Sequence, residues 1–389
     1  TLPPEVTWAG DGLVNTDCTG LNINSSGEPV IQFDFATLDQ ATGSCFIEYQ
    51  VSVDLSAMPG QTLSNSALLD YDSTPVFVAG QTRRQMDSDT AEVNVLAPSL
   101  VKVAVDTSQP DTGMAQGDPA LLDLTIGETV TYELTLVFPE GTSTNVVLSD
   151  NLPAGPSGVI EPIGASVTNI GGMNFSTTLP GTPVFQDNAL ADGLDDTVVL
   201  DFGTVTNMPD GIDDANDRIV VEIVGRVVDV AANADGAVLI NNAELTFDGG
   251  SLADSADVEV VEPEVTIAKA MSMQANGVVR ITLSLENTGT APAYDLEVSD
   301  IFDDADWNLA GFSSLTGPAG FTLNLLPDTP AAGQQTLVFA TDPGAISPNG
   351  TLPVASSISA MFDIPLAVLP PLPNPLPNTA DLTGGDSLP

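Results

Sequence analysis

Apolar and polar residues alternate in short runs along most of this chain. Thr129-Val130-Thr131-Tyr132-Glu133-Leu134-Thr135-Leu136 alternates strictly, and Leu200-Asp201-Phe202-Gly203-Thr204-Val205 matches Phe33-Asp34-Phe35-Ala36-Thr37-Leu38 in kind and spacing. A period of two sends one set of side chains to each face of a strand, and glycine, proline and aspartate punctuate the runs as turns. No stretch shows a convincing helical period. One run occurs three times: Leu63-Ser64-Asn65-Ser66-Ala67-Leu68-Leu69, Leu239-Ile240-Asn241-Asn242-Ala243-Glu244-Leu245 and Leu376-Pro377-Asn378-Thr379-Ala380-Asp381-Leu382. All read Leu-x-Asn-x-Ala-x-Leu, so the matched residues share a face. Recurrence at long, unequal intervals predicts repeated β modules with loops of different length rather than short solenoid coils.

A second repeated run marks where modules end. Asp89-Thr90-Ala91-Glu92-Val93-Asn94-Val95 precedes Pro98, and Asp254-Ser255-Ala256-Asp257-Val258-Glu259-Val260 precedes Pro263. Proline cannot continue a central strand, so the boundaries fall near 97 and 262. The expected modules are 1–97, 98–262 and 263–389. The middle one carries a full set, about seven or eight strands of a β-sandwich. The first lacks its opening strands. The third reaches the Asn378 strand and has no Asp-x-Ala-x-Val-x-Val run after it. Unfinished sandwiches expose strand edges that need covering. Two arrangements remain open: copies of the chain joined head to tail into a filament by completing one another's half-modules, or a window of a longer repeat protein in which flanking modules do so.

Composition narrows the setting. Lys plus Arg total 7 against 53 Asp plus Glu, a formal net charge of −46, which repels nucleic acid and anionic membrane. Such acidity suits a salty exterior, where screening relieves self-repulsion. No apolar run is long enough to span a membrane. Cys18 and Cys45, the only cysteines, are expected to form a disulfide, which again points outside the cytoplasm. Histidine is absent, which removes Ser-His-Asp and Cys-His catalysis and histidine-based metal sites. No motif supports enzymatic activity on an external substrate.

Ile126-Gly127-Glu128-Thr129-Val130-Thr131-Tyr132, Leu148-Ser149-Asp150-Asn151-Leu152-Pro153-Ala154-Gly155, Glu286-Asn287-Thr288-Gly289 and the three Asn-x-Ala strands resemble the bacterial cell-surface conserved-repeat family. The resemblance implies an all-β fold of tandem Ig-like β-sandwich modules, as in large wall, fimbrial and adhesive proteins, some of which form isopeptide bonds. It covers modules two and three and the latter half of module one, and it bears on fold more than on function.

The only two lysines lie in opening strands: Lys102 four residues after Pro98 and Lys269 six after Pro263. Both offsets are even, so both side chains point to the same face. In isopeptide-forming relatives a first-strand lysine attacks an asparagine carboxamide on a late strand, assisted by a buried acid. The resemblance therefore implies Lys102, Asp150 and Asn241 as one set, and Lys269, Asp300 and Asn378 as another. The competing reading pairs both lysines with acidic neighbours at the surface. Asp210, Asp213, Asp214, Asn216 and Asp217 crowd one turn and Asp303, Asp304 and Asp306 another, hard oxygen ligands that suit Ca2+, although a solvated acidic loop competes with that reading. The proline-rich stretch from Pro365 to Pro377 is expected to run extended and to dock on a partner module. The function these features favour is a non-enzymatic structural subunit of an extracellular, cell-surface filament. The alternative is an adhesin stalk presenting a ligand-binding loop.

Overall fold

The computed structural model describes residues 1–18, 20–34, 44–54, 56–72, 83–109, 112, 119–188, 193–208, 212, 214–316, 321–327, 329–341, 351–367 and 378–386. Among them all regular structure is strand, apart from single 3-10 turns. The first module contributes β1 (Val6–Thr16), β2 (Asn22–Asn24), β3 (Gln32–Asp34), β4 (Ile47–Val53), β5 (Thr62–Asp72) and β6 (Arg84–Asn94). They pair only in twos, β1 with β4, β2 with β3 and β5 with β6, around a small apolar cluster of Leu2, Val6 and Leu63.

The second module is a closed sandwich. Its strands are β7 (Ser99–Thr107), β8 (Leu122–Leu124), β9 (Thr129–Val137), β10 (Gly141–Asn151), β11 (Ile160–Ile170), β12 (Phe175–Thr177), β13 (Val184–Gln186), β14 (Thr197–Asn207), β15 (Arg218–Val227), β16 (Val238–Phe247) and β17 (Gly250–Val260). One sheet runs β12-β14-β10-β16-β17-β8, with β13 also on β14, and the other runs β11-β15-β9-β7. The alternation in the sequence becomes burial directly. Val130, Tyr132, Leu134 and Leu136 of β9 face Val146 and Leu148 of β10, Leu200 and Phe202 of β14, and Leu239 and Leu245 of β16 across one core. Burying each such side chain contributes about 1.5 to 3 kcal/mol, the term that drives the two sheets together.

The third module repeats the plan with β18 (Val265–Met273), β19 (Val278–Asn287), β20 (Tyr294–Asp303), β21 (Ser313–Thr316), β22 (Phe321–Pro327), β23 (Gln334–Thr341), β24 (Ser356–Pro365) and β25 (Ala380–Asp386). Its sheets run β18-β19-β24-β21 and β22-β23-β20-β25, over a core that includes Leu283, Val298, Phe302, Phe339 and Phe362. β25 holds the place that β16 holds in the second module, and among the described residues no strand lies outside it. Asn145 and Asp295 confirm that β10 and β20 are equivalent. Both take the left-handed conformation, φ 55° and 46°, and each sits at a break in its strand's register. Non-glycine residues seldom adopt that conformation, so the shared bulge is a specific landmark. Asp150 and Asp300 each lie five positions beyond it.

In strand pairing the first module repeats part of the second. β1 and β4 pair as β11 and β15 do, and β5 and β6 pair in the register of β16 and β17: Asn65 stands opposite Ala91 as Asn241 stands opposite Ala256. Nothing among the described residues corresponds to β7, β9 or β10, and the face they would cover is open. Leu69 is 43% exposed where its equivalent Leu245 is 0%, Val93 is 61% where Val258 is 0%, and Val53 is 51% where Val227 is 1%. The segment from Phe35 to Leu38 and most of the proline-rich stretch after Pro365 lie outside the described residues.

Candidate functional site

Two clusters bring lysine, aspartate and asparagine together, one in each sandwich. In the second module β7 sets Lys102 opposite Leu134, the sixth residue of β9; in the third β18 sets Lys269 opposite Leu283, the sixth residue of β19. The unequal distances from Pro98 and Pro263 therefore reflect where the prolines sit, and both lysines occupy the same place in the fold. Each ammonium points inward across the core to the aspartate of the facing sheet.

Lys102 Nζ lies 2.5 Å from Asp150 Oδ2, and both side chains are wholly shielded from solvent. Tyr132 places its ring 5.1 Å from the same ammonium. Asn241, also fully buried, lies beside Asp150 closely enough to favour the ionised carboxylate, yet neither atom of its carboxamide makes a well-formed hydrogen bond. Asp150 Oδ1 and the Tyr132 hydroxyl are likewise buried without a partner. Unspent polar groups are costly in an apolar core and mark a place where chemistry or covalent bonding accounts for them. Burial lowers the Lys102 ammonium to about 8, with Asp150 opposing the shift, while burial raises the Asp150 carboxyl. Both shifts favour the neutral partners, a free amine next to a carboxylic acid.

In the third module Lys269 Nζ contacts both oxygens of Asp300, at 2.7 and 2.6 Å, and also Asn378 Oδ1. Asn378 Nδ2 donates to Asp300 Oδ1 at 2.9 Å and to the Ile301 carbonyl at 2.8 Å. Phe302 takes the part of the tyrosine, its ring 5.4 Å from the ammonium. Desolvation again pushes the lysine down and the aspartate up. The cluster is less enclosed: the Lys269 side chain is 12% exposed. The reason is the strand that closes the second module. There Asp254 of β17 accepts the backbone N–H of Lys102 at 2.7 Å and ties the edges of the two sheets together. Among the described residues no such strand covers Lys269.

All six residues implied by the resemblance are thus brought together as two sets of three. Tyr132 and Asp254 lie within the repeated motifs with nothing in the sequence that marks them for this site, and the bulges at Asn145 and Asp295 carry no sequence signal of their own. Cys18 and Cys45 are joined as a disulfide, with their Cα atoms 5.1 Å apart.

Most carboxylates of the acidic turns that the structure describes accept hydrogen bonds from within those turns or from neighbouring amides. Asp213 lies outside the described residues. Asp214 caps the short turn Ala215–Asp217, accepting the backbone N–H and the side-chain amide of Asn216. Asp217 accepts from the Asp214 backbone and from Asn207 Nδ2. Those oxygens hold a turn together. Asp303 and Asp304 are similarly engaged, with the Ala305 N–H and the Gln335 amide.

No family model matches the sequence, and none of the curated proteins matches it either, so the family resemblance rests on the motifs alone. Among solved structures the chain is similar to the C-terminal domain of the AgI/II polypeptide BspA of Streptococcus agalactiae, at 12% identity and a TM-score of 0.33, covering 74% of this chain and 96% of that one. It is similar to the C-terminal domain of the antigen I/II-family protein AspA of Streptococcus pyogenes, at 11% identity and a TM-score of 0.29, covering 69% and 90%. It is also similar to BcpA, the major pilin subunit of Bacillus cereus, at 12% identity and a TM-score of 0.27, covering 71% and 65%. At these identities and scores the overlap is partial, and nothing about this chain's partners follows from it.

Proposed function

We propose that this chain is a structural segment of an extracellular fibre built from tandem β-sandwich modules. Modules two and three are each locked internally by an amide bond between lysine and asparagine, and the open first module is the joint to a neighbouring unit. The observation that carries this reading is the pair of Lys-Asp-Asn clusters in equivalent registers, the chain's only two lysines both spent there. A surface ion pair needs no such burial, and exposed pairs are worth little.

The chemistry uses only the three residues. Desolvation raises the share of Lys102 or Lys269 present as the free amine, and that amine's lone pair attacks Cγ of Asn241 or Asn378. The protonated aspartate hydrogen-bonds the carboxamide, passes its proton to the departing Nδ2 and takes one from Nζ. The Nζ–Cγ bond forms, the Cγ–Nδ2 bond breaks, and ammonia leaves. The disulfide and the net charge of −46 suit an oxidising, salty exterior.

Intact-mass measurement tests the reading. The purified chain is expected to weigh two ammonia molecules less than its sequence, with Lys102→Ala and Lys269→Ala each restoring one. A mass equal to that of the sequence with its disulfide overturns it.

A further inference from the structure

Glu286-Asn287-Thr288-Gly289 follows from the end of β19, occurs once in the sequence and takes no part in the lysine clusters. Asn287 is fully buried, and its carboxamide is satisfied on both sides. Its Nδ2 donates to the Ala291 carbonyl at 2.8 Å and to the Leu352 carbonyl at 3.1 Å. Its Oδ1 accepts from Gly289 N at 3.0 Å and from Glu264 N at 3.2 Å. A buried amide with every donor and acceptor used holds one geometry, so Asn287 fixes the turn 287–291 and ties it to the chain entering β18.

That turn lies along the linker between the second and third modules, Glu262-Pro263-Glu264. Glu262 O accepts Thr290 N at 2.9 Å and Ala291 N at 3.2 Å, and Glu264 O accepts Thr288 N at 2.8 Å. Gly289 sits so close to the linker that a Cβ there would stand 2.2 Å from Glu264 N and 2.4 Å from Glu262 O, backbone atoms that cannot swing aside. The second module reaches across from its own side. Asp235, in the loop before β16, accepts Glu262 N at 3.1 Å and the Thr290 hydroxyl through the same oxygen, Oδ1. Val261 N donates to Leu124 O of β8 at 3.0 Å. Every backbone N–H from Val261 to Glu264 is thus bonded, and Pro263, which has none, contributes a fixed φ.

Modules joined by a short linker move relative to one another unless an interface holds them. We propose that Asp235, Asn287, Gly289 and Thr290 form a lock that holds the second and third modules as one stiff rod, and that the chain bends at the joint between the first and second modules instead. The lock needs an acceptor from one module, a hydroxyl on a fixed turn of the next, and no side chain between that turn and the linker. The first joint lacks these residues. Counted from Leu134 and Leu283, which stand opposite Lys102 and Lys269, Phe138 and Glu140 occupy the places of Asn287 and Gly289. Pro59 occupies the place of Asp235: Gly60 N donates to Val95 O at 3.1 Å as Gly236 N donates to Val260 O at 2.8 Å, and each glycine follows the residue in question. The inference is independent of the lysine crosslinks, which lie within modules.

Distances between paired spin labels on the full chain test the lock, with the Cys18–Cys45 disulfide left closed and the labels carried on cysteines introduced at exposed serines. Ser166→Cys with Ser359→Cys spans the second joint, and Ser88→Cys with Ser166→Cys spans the first. Pulsed electron paramagnetic resonance is expected to give one narrow distance distribution across the second joint and a broad one across the first. Asp235→Ala combined with Thr290→Val removes the bridge between modules and touches neither core. Gly289→Val drives a side chain into the linker backbone. Each is expected to lose the narrow distribution, while the urea midpoint of the Asp235→Ala, Thr290→Val chain stays at the wild-type value and shows its modules still folded. A wild-type distribution across the second joint as broad as that across the first overturns the lock. So does a narrow one that survives both changes, because other contacts then hold the joint. An equally narrow distribution across the first joint overturns the assignment of bending to it.

Discussion

At the scale of single residues, the two lysines show how strongly surroundings govern a side chain's chemistry. A lysine in water is charged and unreactive near neutral pH; Lys102, shielded beside Asp150 and Tyr132, sits at about 8. Replacing Asp150 with alanine leaves that amine buried alone. The expected result is loss of one bond in the mass and a destabilisation of about 3 to 5 kcal/mol by chemical denaturation. An Asn241→Ala variant isolates the titration, because Lys102 then keeps a free amine. Its folded value lies below the 10.5 of the exposed chain, so between pH 8 and 10.5 the unfolded state binds more protons and stability rises with pH. The wild type, with that nitrogen in an amide, is expected to lack this rise in urea midpoints measured across the window. Neither Tyr132 nor Asp254 could be assigned to the cluster from the sequence. The first is one aromatic in an alternating strand, and the second reaches Lys102 only because the two sheet edges meet in space.

At the scale of elements, most of the plan was legible. Strict alternation gave the strands of the middle module, because period-two patterning acts locally. What alternation cannot express is which sheet a strand joins, so the pairing of β10 with both β14 and β16 appears only in three dimensions. The turn at Asp214 and Asp217 leaves a Ca2+ site and a solvated acidic loop both open in the sequence, because carboxylate spacing does not reveal which oxygens accept from nearby amides. The contrast between complete and open modules makes a direct test. Leu245→Ala in β16 is expected to cost about 2 to 5 kcal/mol, since it empties a filled core. Leu69→Ala, its equivalent on the uncovered hairpin, is expected to cost less than about 0.5 kcal/mol in the isolated chain. Urea titrations of the two variants check both.

At the scale of the whole molecule, stability is distributed unevenly. The first module has a small apolar cluster and a disulfide whose half-cystines are 27 residues apart, a loop for which closure contributes roughly 3 to 4 kcal/mol. Reduction is therefore expected to expose this module to protease while the sandwiches resist, which limited proteolysis followed by mass mapping would reveal. An amide between Lys269 and Asn378 closes a far longer loop, 109 residues, worth about 4 to 5 kcal/mol on the same reasoning. The places of the two crosslinks along the chain also decide how it answers a pull. Lys102 lies near the entry of its module and Asn241 one strand from the exit, so with the proposed amide formed tension would pass from β7 through it into β16 and miss the core between them. Stretched on a single-molecule instrument, modules two and three would lengthen only by the residues outside Lys102–Asn241 and Lys269–Asn378, and the larger share of the extension would be drawn from the first module outside its Cys18–Cys45 loop.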